Sequence, residues 1–114
     1  MTVAWPARAV LIDLDGTLLD TVPDLTAAVN AMLGEFGRAP LAVATVAAYI
    51  GKGAEVLVHR ALTGSLNGRA AEAIFAEGRE AFYQHYRRVN GHAALVYPGV
   101  PEALVSFRQR GLKL

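Results

Sequence analysis

The chain has 114 residues, of which 54% are hydrophobic and 18% are charged, and its formal net charge is +1. This length and apolar content suffice for a folded core. The net charge, which is close to zero, gives no indication of nucleic-acid binding. Cysteine is absent, which excludes disulfides, zinc–thiolate sites and a thiol nucleophile and agrees with a reducing cytoplasmic compartment.

The first predicted element is a strand at residues 9–12, because a continuous apolar run is typical of a parallel-sheet strand buried on both faces. Its four residues are too few for a signal sequence or a membrane span, so we expect a soluble, cytoplasmic protein. The strand ends in the turn Asp15-Gly16-Thr17.

Four helical segments then follow one another, which favours a small helical bundle. The first begins at Pro23 and ends at Gly37, with apolar residues at three- and four-residue spacing. The others are predicted at residues 43–50, 56–64 and 69–89, and the loop Gly51-Lys52-Gly53 separates the first two of these.

The last part of the chain returns to the pattern of a sheet. A turn at residues 97–101 starts a fifth helix that ends at Gly111, and residues 112–114 have the character of a second strand. Because a parallel sheet needs several covered strands, the sequence predicts an α/β fold whose sheet domain is incomplete. The unpaired edge of residues 9–14 predicts self-association of the chain.

Two carboxylates, Asp13 and Asp15, follow the first predicted strand two residues apart and should project to the same side. A divalent cation would relieve their repulsion, and Mg²⁺, which favours a few carboxylates with waters and a substrate phosphate, suits them. Asp13 could attack phosphorus to form an aspartyl-phosphate, while Asp15 serves as general acid and then as base. Gly16 would permit a tight turn, and Thr17 could orient Asp15 or a phosphate oxygen.

Two other interpretations apply to these aspartates. Asp-Gly is common in the strand-end turns of any protein. A calcium loop of the EF-hand kind would place Asp13, Asp15 and Asp24 at its first, third and twelfth positions. The calcium interpretation fails because Leu18 occupies the required glycine position and a strand leads into the loop.

The segment DLDGTLLDT at residues 13–21 resembles the first motif of phosphatases of the haloacid dehalogenase superfamily, and the helical insert after it resembles their cap domain. With Pro23-Asp24-Leu25, the 51–53 loop and the turn at residues 97–100, the chain is most similar to the bacterial phosphoglycolate phosphatases of that superfamily. The resemblance implies a Rossmann-like core, incomplete here, with an inserted α-helical cap. Core segments would be residues 1–18 and 96–114, and the cap residues 19–95.

The resemblance also implies an activity: Mg²⁺-dependent hydrolysis of a small phosphate monoester, 2-phosphoglycolate first, with neither nucleic acid nor membrane as partner. Asp13 would be the nucleophile and Asp15 the acid/base that dehalogenases lack. Mg²⁺ would be held by the Asp13 carboxylate, the Asp15 carbonyl and a later carboxylate that is not among the 114 residues. Gly16 and Thr17 would contact the phosphate, and Lys52 an anionic substrate group, although Lys52 could equally be a solvated residue in a helix-breaking turn.

The family's later motifs, a Ser or Thr, a lysine and an acidic pair, have no counterpart assigned within the 114 residues. In the superfamily, these groups supply a hydrogen-bond donor to the phosphate, a cation that balances the charges of the nucleophile and the phosphate, and further metal ligands. The competing interpretation is therefore that the 114-residue chain is a non-catalytic fragment of an enzyme. A third interpretation, a sugar-phosphate mutase or a pyrophosphatase of the same superfamily, would keep the same nucleophile.

Overall fold

The computed structural model describes residues 6–114, and the chain divides into two compact units. The first contains the residues up to Asp20 together with Leu95–Leu114, and the second is the uninterrupted segment Thr21–Ala94. The boundaries thus fall after residues 20 and 94, where the sequence predicted them after residues 18 and 95.

The second unit consists of helices packed on one another, in agreement with the four predicted helical segments. The first helix packs mainly along the last of them, and the two shorter helices contact each other and their neighbours. Within residues 6–114, none of the helices combines the length and the apolar character that crossing a bilayer requires. The bounds are Val22–Glu35 for α1, Val43–Tyr49 for α2, Ala54–Thr63 for α3 and Glu72–Val89 for α4.

Helix α4 begins at Glu72 rather than at the predicted Arg69. The reason is a hydrogen bond from the Ala70 N–H to Nδ1 of His59, at 3.1 Å, which holds the chain before the helix against α3. Ala71 is extended, with φ −55° and ψ 144°, so the helical conformation starts only after it.

The core of the second unit draws on side chains from all four helices. Val29 of α1, Val46 of α2 and Val58 of α3 are completely buried, and Phe82 of α4 is 1% exposed. Burial of one such side chain stabilises a protein by about 1.5–3 kcal/mol. The second unit therefore has a hydrophobic core of its own.

The predicted glycine stop of α1 is confirmed in its geometry. Gly37 has φ +65°, and its N–H donates to the Gly34 carbonyl at 3.1 Å. The Arg38 N–H donates to the Leu33 carbonyl at 3.0 Å. This pair of bonds is a Schellman motif, which satisfies carbonyls that the end of a helix would otherwise leave without donors.

The first unit contains one short sheet and one helix among its described residues. Strand β1 (Leu19–Asp20) pairs antiparallel with β2 (Leu95–Val96), and Leu19 lies opposite Val96. Helix α5 spans Val100–Gln109, which ends just before the predicted limit at Gly111. The sequence pattern predicted α5 but neither of these two-residue strands.

The strand predicted at residues 9–12 forms only at its first residue. Ala9 makes an isolated parallel bridge with Lys113, and the Val10 N–H donates to the Lys113 carbonyl at 2.8 Å. The prediction that this segment is buried on both faces is wrong, because Leu11 is 98% exposed. A parallel strand is buried only where strands and helices cover it, and among the described residues the segment 9–12 forms one bridge, to Lys113, and is lined on one side by α5.

Candidate active site

The loop that carries the predicted nucleophile is closed by backbone hydrogen bonds. The Leu14 carbonyl accepts from the N–H groups of Leu18 and Leu19, at 3.0 and 3.1 Å. The Gly16 N–H donates to the Leu19 carbonyl at 2.8 Å, and Gly16 has φ +75°. Because that left-handed conformation costs other residues about 1–2 kcal/mol, the tight turn explains the glycine at this position.

The side chains of the predicted site project from this loop. Asp13, Asp15 and Thr17 are exposed, and their side chains make no hydrogen bond or ion pair within residues 6–114. The backbone is different, because the N–H groups of Gly16 and Thr17 both donate to carbonyls inside the loop. The side-chain groups available to a ligand are therefore two carboxylates and one hydroxyl.

The donor chemistry of this loop fits Mg²⁺. Asp13 and Asp15 supply two carboxylates two positions apart, and Asp15 also supplies a backbone carbonyl. Across residues 6–114, no group of three or more His, Cys, Asp or Glu side chains is placed to hold a metal ion. Mg²⁺ commonly binds through one or two carboxylates and completes its coordination with waters and substrate phosphate, so the Asp13 carboxylate and the Asp15 carbonyl are ligands of the kind that this ion takes.

Lys52, the other predicted substrate-binding residue, lies in the second unit on the loop from α2 to α3. Gly51 has φ +119° and Gly53 has φ +92°, so the backbone on both sides of the lysine adopts conformations that favour glycine. The Lys52 side chain is exposed and has no hydrogen bond or ion pair with any other described residue. The positively charged Lys52 side chain, on a loop with a defined backbone conformation, is therefore available to bind an anion.

Asp24 is a buried carboxylate whose partners the sequence did not reveal. It is 0% exposed, and its two oxygens accept hydrogen bonds from the N–H groups of Gly91 and Ala93, each at 2.7 Å. These bonds join the beginning of the second unit to its end, since Thr21 and Ala94 are its terminal residues. Both oxygens are engaged with backbone donors, which agrees with the rejection of an EF-hand calcium loop.

The only sequence signal for this role was the position of Asp24 in the first turn of α1, directly after Pro23. Acidic residues are common there because they interact favourably with the helix dipole. That preference says nothing about partners 67 and 69 positions away. The sequence alone therefore could not show that Asp24 joins the beginning of the second unit to its end; this role follows from the structure.

Comparison with known proteins identifies the family. A model described as haloacid dehalogenase-like hydrolase matches residues 7–114. A crystal structure titled a predicted phosphoglycolate phosphatase, from Haemophilus somnus, is similar with a TM-score of 0.82 at 28% identity, over 93% of this chain and 48% of that one. The chain belongs to the haloacid dehalogenase-like hydrolases, and it has the α/β fold of that family with part of the core.

Curated relatives within the family carry a more specific name. Phosphoglycolate phosphatase of Nitrosospira multiformis is 45% identical over 109 residues, which is 96% of this chain and 48% of the relative. Phosphoglycolate phosphatase 1 of Pseudomonas aeruginosa is 46% identical over 112 residues, which is 94% of this chain and 39% of the relative. The chain thus spans less than half the length of these two relatives.

Proposed function

We propose that this sequence belongs to a Mg²⁺-dependent phosphatase that hydrolyses 2-phosphoglycolate to glycolate and phosphate. The observation that carries the proposal is the loop at residues 13–17, where two exposed carboxylates without partners stand on a tight glycine turn. The names of the relatives from Nitrosospira multiformis and Pseudomonas aeruginosa support this substrate. The cytoplasmic location stays a prediction.

Asp13 is the proposed nucleophile. Its carboxylate oxygen forms a bond to phosphorus while the bond from phosphorus to the glycolate oxygen breaks, which gives an aspartyl-phosphate. Asp15 donates a proton to the departing oxygen and then accepts a proton from the water that attacks the phosphorus. As the water oxygen bonds to phosphorus, the bond from phosphorus to the Asp13 oxygen breaks; phosphate is released, Asp13 is a carboxylate again and Asp15 has regained its proton.

The remaining proposed residues bind rather than react. The Asp13 carboxylate and the Asp15 carbonyl would hold Mg²⁺, which when bound offsets the charge repulsion between the nucleophile and the phosphate. The Thr17 hydroxyl can orient Asp15 or a phosphate oxygen, and Gly16 gives the loop its shape. Lys52 is proposed to bind the carboxylate of the substrate by charge attraction.

A second candidate function is that the 114-residue chain is a fragment that is catalytically inactive by itself. The observation in its favour is that the chain spans between 39% and 48% of the length of the relatives from Pseudomonas aeruginosa and Nitrosospira multiformis. Each preorganised charge or hydrogen-bond donor at a transition state contributes about 100- to 1000-fold in rate. Groups of this kind that lie outside the matched region would therefore be needed for turnover.

The test is Mg²⁺-dependent phosphate release from 2-phosphoglycolate, measured for this chain and for a protein with this sequence at the length of its relatives. Asp13→Asn should lower the rate by about 10⁴-fold or more, as removal of a nucleophile typically does. Glu102→Gln, which changes an exposed acid on α5, is the matched control and should leave the rate unchanged. No Mg²⁺-dependent release from the longer protein would overturn the proposal, whereas release from the longer protein alone would support the second candidate.

A further inference from the structure

We infer that Arg60 is a positioning residue for Lys52, an inference that rests on the proposed binding of the substrate carboxylate by Lys52. Arg60 lies on α3 and is partly buried. Its Nη1 donates to the Tyr49 carbonyl at 2.9 Å, and its Nε donates to the Leu66 carbonyl at 2.8 Å. One guanidinium therefore joins α3 to two segments outside that helix.

The Tyr49 carbonyl is the important partner, because Tyr49 is the last residue of α2 and the Lys52 loop leaves the helix there. Carbonyls in the last turn of a helix lack intrahelical donors. The bond from Arg60 satisfies this one and fixes the start of the loop to α3. At the other end, the Gly53 carbonyl accepts from the Leu57 N–H at 3.1 Å, in the first turn of α3.

Both ends of the loop are thus held on α3, with Lys52 between them. The two flanking glycines have more backbone conformations open to them than any other residue. Without an anchor at Tyr49, the loop would sample many conformations, and the Lys52 ammonium would have to be ordered each time a substrate binds. Arg60 removes part of that cost before binding.

Arginine suits this role better than lysine. Its planar guanidinium presents N–H donors in a rigid fork, so two carbonyls in different directions can be bound at once. A lysine at position 60 would keep the positive charge but lose that geometry. Arg60→Lys should therefore restore only part of the function that Arg60→Gln removes.

Arg38 provides a matched control within the same unit. Its Nη1 also donates to a backbone carbonyl, that of Leu62 on α3. That bond lies outside the loop from α2 to α3, so Arg38→Gln removes a comparable bond without releasing Lys52. A purely structural role of arginine–carbonyl bonds would make the two variants behave alike.

The experiment compares KM for 2-phosphoglycolate with KM for 4-nitrophenyl phosphate, a phosphate ester without a carboxylate, in a protein with this sequence at the length of its relatives. Arg60→Gln should raise KM for 2-phosphoglycolate by about tenfold, because a misplaced binding group loses affinity. The kcat for this substrate and the KM for 4-nitrophenyl phosphate should stay within about twofold. Arg38→Gln should change neither KM.

Two further variants complete the test. One is Lys52→Ala alone, and the other combines Lys52→Ala with Arg60→Gln. If Arg60 acts through Lys52, the double variant should have the same KM for 2-phosphoglycolate as Lys52→Ala alone. Multiplying effects, or no effect of Arg60→Gln where Lys52→Ala has one, would overturn the positioning role and leave the proposed function intact. No effect of Lys52→Ala would instead contradict the proposed function at that residue, and the inference would fall with it.

A readout that needs no catalysis is amide hydrogen exchange in the 114-residue chain. Arg60→Gln should speed exchange at Gly51, Lys52 and Gly53, because the loop loses its anchor at Tyr49. Arg38→Gln should leave exchange at these three amides unchanged relative to the rest of the second unit. Equal acceleration in both variants would overturn the inference.

Discussion

The two units of this chain have similar fractions of apolar residues, but they differ in how far those residues are buried. The second unit encloses Met32, Val46 and Phe82 so that 1% or less of each is exposed. In the first unit, none of the described residues is buried, and Leu11, Leu95 and Leu114 are 98%, 63% and 53% exposed. Helices with apolar stripes can cover one another locally, whereas a sheet strand needs neighbours on both sides and cover on both faces.

The uncovered apolar surface of the first unit forms a groove. It has a volume of about 490 Å³, and its lining comes from the segment around residues 10–12 and from α5. The proposed nucleophile loop directly follows that segment in the chain. The proposed catalytic residues, Asp13 and Asp15, therefore belong to the unit with the less complete core.

The largest expected contrast between the two units comes from a matched pair of phenylalanines. Phe82 is 1% exposed and stacks on Tyr86 with ring centroids 5.7 Å apart, whereas Phe107 of α5 is only partly buried. Phe82→Ala should lower the free energy of unfolding by about 3–5 kcal/mol, because it leaves a cavity in a packed core. Phe107→Ala should lower it by less than about 1 kcal/mol.

Urea unfolding followed by the circular dichroism of the helices measures both variants. The helices of the second unit contribute most of that signal, so the readout follows the unit with the core. Equal losses for Phe82→Ala and Phe107→Ala would show that the first unit has a core comparable to that of the second, which contradicts the comparison.

A smaller effect is expected from Asp24, which closes the second unit. Asp24→Asn keeps the shape of the side chain but replaces one acceptor oxygen by an NH₂ group, which would face the N–H of Gly91 or Ala93. Leaving a buried donor without an acceptor costs about 1–3 kcal/mol. The free energy of unfolding should fall by that amount in urea titrations.

The matched control is Asp13→Asn in the first unit, where the carboxylate is exposed and has no side-chain partner among residues 6–114. Its free energy of unfolding should stay within about 0.5 kcal/mol of the wild type. If Asp24→Asn were as mild as Asp13→Asn, the closure of the second unit would not depend on the buried carboxylate.

The helices of the second unit could be predicted because their signals are local. Apolar spacing marked α1, and the glycine at position 37 marked its end, where the observed Schellman motif uses the conformational freedom of that residue. The start of α4 could not be predicted as well, since it depends on the bond between Ala70 and His59. Eleven positions separate these two residues in the sequence.

The first unit was predicted less well for the same physical reason. Strands β1 and β2 have two residues each, which is too short for any alternation of polar and apolar side chains to appear. Their pairing joins distant parts of the chain, and nothing at Leu19 indicates Val96 as its partner. The turn after Asp15 was nevertheless predicted correctly, because the Asp-Gly pair specifies it locally.

The smallest effect on stability, and the sharpest test of the uncovered surface, is expected at Leu11. We expect the 114-residue chain to self-associate through the first unit, because its exposed apolar side chains favour pairing with a second copy. Leu11→Lys should shift sedimentation towards the monomer and change the free energy of unfolding by less than about 0.5 kcal/mol. Leu66→Lys, at a leucine of the second unit that is 52% exposed, should leave the association unchanged. Wild-type chain that sediments as a monomer would contradict this expectation, and an equal response to both lysines would mean that association depends on surface hydrophobicity in general and not on the first unit.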